Sequence, residues 1–404
     1  MNLKPPPPRR HSGGSPMDEL TDSQLNTVPT MKRNEEEEEG NSEIDVPKIR
    51  VKLPAQDIYG AVRPVCVKWY QMIHTHMFVN THLHRSTYGL LIQNIVPPTV
   101  RLTFMALSRQ GRIELTRLNY EPRFEIWCSS CNGLILESER KNLYALYITN
   151  PATMQHFALP PFFFPSTTAF THSAIAYASL SMEYKVVRVY YQEEQWCCAI
   201  VTAGVDESWR RVCTQHLSFE AKELLRLKPL TTEGFVHWAK WGNYVLTLNV
   251  ETEIITEYLV ISLCYGDRFG DNYYYFSTVK YLSLLIRRRG WLWEVWEMKP
   301  ETGEWTKLSG IEFTDRKCEI LGLLCERDTI FKPVGNSESS IIPVGWLEYK
   351  EVFVYRFLSP VGKQSRICIA WNVRLKEYEL IELDSSRNAY FVHRNSLLWL
   401  DGCF

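Results

Sequence analysis

Residues 131–160 read CNGLILESERKNLYALYITNPATMQHFALP, and they contain the pattern that decides the fold. Apolar and polar residues alternate from Leu143 to Ile148, which is the period of a strand with one buried face. Asn150-Pro151 is a turn dipeptide that ends this strand, and a further short run reaches Leu159-Pro160. The stretch therefore predicts a pair of antiparallel strands. Whether this pair is single or one of a series determines the architecture.

The same strand, turn and strand pattern recurs along the rest of the chain, in residues 183–212, 234–260, 290–308 and 367–383. An aromatic residue follows the turn in four of the five units: Phe157, Trp209, Trp305 and Tyr378. Turn markers at Asn150, Ala203, Asn249, Met298 and Asn372 are separated by 53, 46, 49 and 74 residues. The first three intervals are typical of propeller blades, whose repeat is about 40 to 50 residues. The last interval leaves room for an additional unit at residues 318–333.

A radial array of sheets explains why such a unit repeats. A single four-stranded sheet has two apolar faces and exposed edges, and stacking sheets around an axis buries both faces. The 13 Trp, 21 Tyr and 18 Phe of the 404-residue chain also favour strands over helices. We expect a mostly β, propeller-like (kelch-like) domain of five to seven blades over residues 100–404. A β-sandwich followed by a second β domain is the alternative.

The bulk properties of the chain restrict its partners and its compartment. The formal net charge is −1, so the balance of charge predicts neither a nucleic-acid partner nor an anionic membrane. No run of 18 apolar residues is present, and the N-terminal MNLKPPPPRR lacks the apolar core of a signal peptide. Eleven cysteines without regular spacing fit a reducing compartment. We expect the protein in the cytoplasm, the nucleus or both.

Two segments precede the predicted propeller. Residues 1–49 are rich in proline and carry 6 basic and 10 acidic side chains, so they are predicted to form a disordered acidic tail. In residues 50–90, the side chains of Val65, Trp69, Met72 and Ile73 recur at helical spacing, whereas prolines and a glycine interrupt the stretch before them. This pattern predicts one amphipathic helix with an approach segment.

These motifs resemble a family of plant proteins. Part of residues 53–83 resembles the second half of an F-box: Leu53-Pro54, Val65-Cys66, Trp69, Phe78 and His82-Leu83. Downstream motifs resemble, in order, the F-box-associated domain: CNGL at 131–134, NPAT at 150–153 with Leu159-Pro160, YKVVRV at 184–189, SWRRV at 208–212, GFVHW at 234–238, and the segment from VWEMK at 295 to EWTKL at 308. Each motif is weak by itself, but six in this order are a strong signal.

The resemblance implies a substrate receptor of a cullin-based (SCF-type) ubiquitin ligase. Its F-box would bind a small adaptor protein, which links it to the cullin, and its β domain would hold an unidentified target protein. The adaptor-binding residues implied are Leu53, Pro54, Ile58, Val65, Cys66, Trp69, Ile73 and Phe78. Only residues 55–64 separate Leu53-Pro54 from Val65-Cys66, which is shorter than in the family. We therefore expect a truncated F-box with weakened adaptor binding, and the alternative is a binding module that has lost its ligase.

Three patterns suggest other chemistry, and each has a simpler structural explanation. Cys128 and Cys131 form a lone CxxC, whereas structural zinc needs four ligands. The two HxH pairs, at 74 and 76 and at 82 and 84, point apart on a helix and form no ready metal site. Arg287-Arg288-Arg289 beside Trp291, Trp293 and Trp296 resembles an RNA-stacking surface but also fits a packed blade. No nucleophile, phosphate-loop or metalloprotease motif appears, so we expect no enzyme activity, metal or cofactor.

Overall fold

The computed structural model describes most of the chain from residue 53 onward. The described residues are 53–62, 66–96, 99–108, 110–120, 129–138, 145–162, 172–240, 244–260, 273–288, 292–327, 340–358, 364–398 and 400. The predicted disordered tail at residues 1–49 lies outside them, as do Val65 and Cys128.

The described strands form six antiparallel sheets, which we call blades 1 to 6. Blade 1 contains β1 (Tyr88–Val96), β2 (Thr99–Leu107), β3 (Ile113–Arg117) and the last strand, β25 (Asn388–Arg394). Blade 2 contains β4 (Ser130–Cys131), β5 (Leu134–Ser138), β6 (Leu146–Asn150) and β7 (Gln155–Ala158). Blade 3 contains β8 (His172–Ala178), β9 (Glu183–Gln192), β10 (Gln195–Thr202) and β11 (Arg210–Val212).

The remaining blades follow in chain order. Blade 4 contains β12 (Leu230–Thr232), β13 (Phe235–Ala239), β14 (Tyr244–Asn249) and β15 (Ile254–Leu259). Blade 5 contains β16 (Tyr273–Ser277), β17 (Leu282–Arg287), β18 (Leu292–Met298), β19 (Trp305–Lys307) and β20 (Ile311–Glu312). Blade 6 contains β21 (Ser340–Glu348), β22 (Val352–Leu358), β23 (Gln364–Asn372) and β24 (Glu377–Glu382).

The blades close into a six-bladed propeller. Strand β25 returns from the C-terminal end to pair with β1 in blade 1, with Leu91 opposite Phe391, so strands from both ends of the domain complete one sheet. A buried apolar cluster lies between each pair of neighbouring blades, including blades 6 and 1, where Leu90 and Ile92 pack against Val354. Successive residues of β1 pack against different neighbouring blades, because side chains alternate between the two faces of a strand and both faces of β1 are buried. The propeller prediction is confirmed, and the sandwich alternative is wrong.

The turn in the opening stretch is the joint between the third and outer strands of a blade. Asn150 begins it in blade 2, and Asn249 and Asn372 begin the equivalent turns of blades 4 and 6. In each, the Asn side-chain oxygen accepts a hydrogen bond from the backbone N–H two residues later, at 2.9 to 3.1 Å. The fifth residue of each turn has positive φ, which Asn or Gly tolerates best but other residues also adopt singly. The repeated turn therefore reflects a local backbone geometry that the blade needs.

One sequence prediction about the repeats is wrong. The 74-residue interval contains no additional strand pair in the described residues of 318–333, because Lys317–Arg327 is a helix. Its residues Ile320 and Leu324 pack into the aromatic cluster between blades 5 and 6. The apolar residues of this segment lie three and four positions apart, which is the spacing of one helical face. A short apolar run does not by itself distinguish a helix from a strand.

Each blade has a defined direction that gives the propeller two different faces. In blades 2 to 6 the first strand contacts the first strand of the next blade, so these strands are innermost and the chain runs outward through the blade, whereas in blade 1 the innermost strand is β25. First and third strands run the same way in an antiparallel meander. The turns after them, such as residues 132–133 and 151–154, therefore share one face, which we call the lower face. The strand ends that lead from one blade to the next lie on the opposite, upper face.

The helices are few and short. They are α1 (Ala55–Asp57), followed by a π-helical turn (Ile58–Val62), α2 (Val67–Ile73), α3 (His76–Arg85), α4 (Phe219–Leu224), a 3₁₀ turn (Thr314–Arg316) and α5 (Lys317–Arg327). None of the helices in the described residues is long and apolar enough to cross a membrane. The sequence predicted one helix before the propeller, whereas α2 and α3 are separate because Thr75 starts a new helix. Its hydroxyl accepts a hydrogen bond from Phe78 N at 3.3 Å.

Candidate protein-binding surfaces

The helices before the propeller form a small unit that we call the helical segment, residues 53–62 and 66–86. Helix α3 buries Phe78, Val79, His82 and Leu83, which recur at the spacing of one helical face. His82 Nε2 donates to the carbonyl oxygen of Leu53 at 3.0 Å and so ties the start of the segment to α3. Burial lowers the pKa of His82 and Arg394 adds to this effect, which together outweigh the hydrogen bond to Leu53 that raises the pKa, so the neutral ring is favoured.

The helical segment is packed directly onto the lower face of the propeller. Ile58, Ile73 and Phe78 share one buried cluster with Ala152, from the NPAT turn of blade 2, and with Leu397. Two further α3 residues join the cluster between blades 2 and 3. The segment and the propeller therefore share a continuous apolar core, rather than being joined by an exposed linker.

The structure divides the predicted adaptor-binding residues into two groups. Ile58, Ile73 and Phe78 are at most 3% exposed, and Trp69 is partly buried in the same cluster. The exposed members are Leu53, Pro54 and Cys66, and Val65 lies outside the described residues. Adaptor binding by this set stays a prediction, but the buried members contact the propeller in this conformation and offer no surface to a partner.

Sequence reasoning missed a second set of apolar residues in the helical segment. Val67, Tyr70 and Met77 are between 42% and 76% exposed, and they join Leu53, which the sequence did predict and which is 41% exposed. Val67 lies on the side of α2 away from Trp69 and Ile73, and Tyr70 lies at the edge between the two sides. The signal in the sequence was present, because α2 carries apolar residues on both faces. Without the propeller, nothing indicated which face is buried.

The C-terminal residues after β25 form a strap, Asn395–Leu398, that joins the helical segment to blade 2. Asn150 Nδ2 donates to the carbonyl oxygens of Ser396, at 3.0 Å, and Leu398, at 2.5 Å. Ser396 Oγ donates to the carbonyl oxygen of Asn132 at 2.5 Å. Asn395 also donates to the Gln56 side chain. The Asn of NPAT and the Asn of CNGL thus hold the strap in place.

Gly133 of the CNGL motif has a steric role beside the strap. Its φ is +93°, a conformation that side chains with a Cβ rarely adopt. A Cβ at this position would lie 2.2 Å from Ser396 Oγ and 2.8 Å from the carbonyl oxygen of Arg394. The glycine is therefore needed for the close approach of the strap to blade 2.

The YKVVRV and SWRRV motifs form a charged contact between blades 3 and 4. Lys185 Nζ donates to Glu253 Oε1 at 2.9 Å, and Arg210 Nη2 donates to the same oxygen at 2.5 Å. Arg210 also pairs with Asp206. Burial by itself would raise the pKa of Glu253, but the hydrogen bonds from Arg210 and Lys185 outweigh it and hold the pKa below its usual value. These motif residues fix one blade against the next.

The GFVHW motif is also internal. His237 is fully buried, and its two ring nitrogens lie 2.9 and 3.0 Å from the hydroxyls of Thr232 and Thr247 in the neighbouring strands. Burial lowers the pKa of His237 to about 3, so the ring is neutral at physiological pH. Trp238 is fully buried between blades 3 and 4. Lys185, Arg210 and His237 of these motifs therefore make contacts within and between blades.

Several residues with possible metal or RNA chemistry have structural roles, whereas Arg289 and Trp291 lie outside the described residues. In the described part of the chain, no group of three or more His, Cys, Asp or Glu residues is arranged to hold a metal ion. Burial raises the pKa of Cys131 to about 12, so its thiol is protonated. Trp293 is buried between blades 5 and 6, and Arg288 pairs with Glu294 at 3.0 Å. These last observations fit the packed-blade interpretation of the Arg and Trp cluster.

The family comparison agrees with this architecture. Residues 102–255 match the family model described as the F-box associated beta propeller domain, and these residues extend from β2 to the start of β15. This part of the chain is therefore similar to an F-box-associated propeller domain. No curated protein matches the chain.

Several solved structures resemble the chain at low sequence identity. TolB from Acinetobacter baumannii is 9% identical with a TM-score of 0.38, covering 77% of this chain and 67% of that one. Oligogalacturonate lyase from Vibrio parahaemolyticus is 6% identical with a TM-score of 0.38, covering 73% and 80%. A putative 6-phosphogluconolactonase from Bacteroides fragilis is 9% identical with a TM-score of 0.33, covering 76% and 98%.

Proposed function

We propose that this chain is the substrate-recognition receptor of an SCF-type ubiquitin ligase. In this role the helical segment binds the adaptor that connects to the cullin, and the propeller binds a target protein. The observation that carries the proposal is the helical segment itself. It is fixed to the lower face of an F-box-associated propeller and exposes Val67, Tyr70 and Met77.

The fixed attachment matters for this role. The shared core holds the adaptor-binding side at a constant position relative to the propeller, so a target on the upper face would be presented in one orientation. Upper-face connections join the blades and are free to vary, because the strands are committed to packing. The receptor role requires no catalytic step in this chain, and we place it in the cytoplasm or nucleus.

Substitutions in the exposed apolar set test adaptor binding. Val67→Asp and Met77→Asp place a charge at positions that are 72% and 76% exposed, so folding should not change. In pull-down and biolayer interferometry with purified adaptor, we expect wild type to bind and each variant to lose about tenfold in affinity. Leu259→Asp, at a 50% exposed position of blade 4, is the matched control. If wild type does not recover the adaptor, the receptor role is refuted.

The structure also supports a second candidate, a propeller that binds proteins without a ligase. Burial of Ile58, Ile73 and Phe78 removes part of the surface that the family resemblance assigns to the adaptor. Under this alternative, immunoprecipitation recovers a protein partner but neither adaptor nor cullin. Trp69→Ala is a poor test between the two, because Trp69 packs in the cluster that joins the helical segment to the propeller.

A further inference from the structure

The exposed apolar area of the helical segment is small for a stable interface. Leu53, Val67, Tyr70 and Met77 expose clearly more than half of their area on average. At roughly 200 Å² for a large side chain, they offer about 450 Å², whereas a stable interface buries about 800 Å² on each partner. A partner that binds this segment tightly therefore needs additional surface nearby.

The lower face of blades 2 and 3 supplies apolar surface next to the helical segment. Met154 follows Ala152, which packs against Phe78, and its side chain is 53% exposed. Leu180 and Met182 occupy the turn between β8 and β9 and are 85% and 75% exposed. These residues stand at turn tips on the same face as the helices, and large apolar side chains are seldom exposed together without a partner.

The turns that carry these residues are held firmly. The backbone N–H groups of Leu180 and Ser181 donate to the carboxylate of Glu251 in blade 4, at 3.1 and 3.0 Å. Asn150 and the strap fix the turn that contains Met154. A surface that is already ordered loses little conformational entropy on binding, which favours its use as an interface.

We infer that the adaptor contacts a composite surface made of the helical segment and the lower-face turns of blades 2 and 3. The inference rests on the proposed function and adds that the propeller itself contributes to adaptor binding. Met154, Leu180 and Met182 extend the apolar area of the helical segment by about 400 Å², which brings the total near the area that a stable interface buries. The propeller thereby compensates for the short helical segment.

The test is binding of purified adaptor to the full chain carrying Met154→Gln, Leu180→Gln and Met182→Gln together. Glutamine adds no charge near Glu251 and preserves side-chain length. We expect Kd to rise at least about tenfold by biolayer interferometry, with an unchanged melting temperature. Leu375→Gln is the control, since Leu375 is 59% exposed at a lower-face turn of blade 6, and we expect its Kd to stay within about twofold of wild type.

The outcomes separate this inference from the proposed function. If the triple variant binds as wild type does while Met77→Asp binds weakly, the composite surface is wrong and adaptor binding by the helices stands. If wild type binds no adaptor, both are wrong. If light scattering detects a dimer of the free chain that the triple variant dissociates, the lower face is occupied by a second copy, and the composite adaptor surface is overturned.

Discussion

Replacing Asn150 with alanine tests how the strap is attached to blade 2. The substitution removes two hydrogen bonds to the strap carbonyls of Ser396 and Leu398, and a third from Ala152 N. Ser396, Leu398 and Ala152 are at most 8% exposed, so water does not readily replace the Asn150 side chain as their hydrogen-bond partner. At about 1 kcal/mol for each buried group left unsatisfied, we expect the free energy of unfolding to fall by about 3 kcal/mol.

The matched control is Asn372→Ala in the equivalent turn of blade 6. There the Asn oxygen accepts only from Arg374 N and Leu375 N, among its hydrogen bonds described, and those residues are exposed. Water can satisfy these groups, so we expect a loss of about 0.5 to 1 kcal/mol. Urea unfolding followed by tryptophan fluorescence measures both variants. Hydrogen exchange should accelerate in residues 395–398 and in the helical segment for the Asn150 variant. Equal destabilisation by the two substitutions would refute the role of the strap.

Three further predictions concern the internal contacts of the propeller. Gly133→Ala should destabilise the fold by about 2 to 4 kcal/mol because of its φ and the nearby strap, whereas Gly111→Ala, with positive φ but nothing near its Cβ, should cost about 1 kcal/mol. Thermal unfolding compares them. Below pH 6.5 the unfolded chain binds a proton at His237 that the native state excludes, so stability should fall by about 2 kcal/mol at pH 5 through this group. In His237→Gln the difference in urea midpoint between pH 7.5 and pH 5 should shrink, and an unchanged difference would contradict the assignment. Glu253→Gln should lower the free energy of unfolding by about 1 to 2 kcal/mol, allowing for the partial exposure of Glu253. Glu223→Gln, which removes an exposed ion pair with Arg226, should lower it by less than about 0.5 kcal/mol. Denaturant titration that finds the two equal would exclude an inter-blade role.

The repeats allowed the architecture to be predicted from the sequence, because local backbone geometry dictates them. Asn is favoured at the start of the turns at Asn150, Asn249 and Asn372, because its side chain accepts a hydrogen bond from the backbone N–H two residues later. Since this interaction is local, the same residue type recurs in each of these turns and can be recognised in the sequence. Blade 1 escaped detection as a repeat because its strands come from both ends of the domain. Long-range pairing of this kind leaves no periodic signal.

The candidate binding surfaces were harder to predict. The motifs that carry the family resemblance were the easiest to find, yet Gly133, Asn150, Arg210 and His237 contact other parts of the same molecule. In the helical segment, Ile73 and Val67 lie on different sides of one short helix, and both are compatible with either burial or binding. The choice between those faces depends on Ala152 and Leu397, which lie far away in the sequence.

The sequence by itself determined that short strands and Asn-led turns repeat, that a helical segment precedes them, and that the downstream motifs resemble an F-box-associated domain. Those features depend on interactions between residues close in the chain. The tertiary structure decided the number of blades, the closure by β25, and which apolar residues remain exposed. Burial depends on which residues are neighbours in space. Here the residues that cover the helical segment come from the C-terminal end of the domain, more than 300 residues later in the chain.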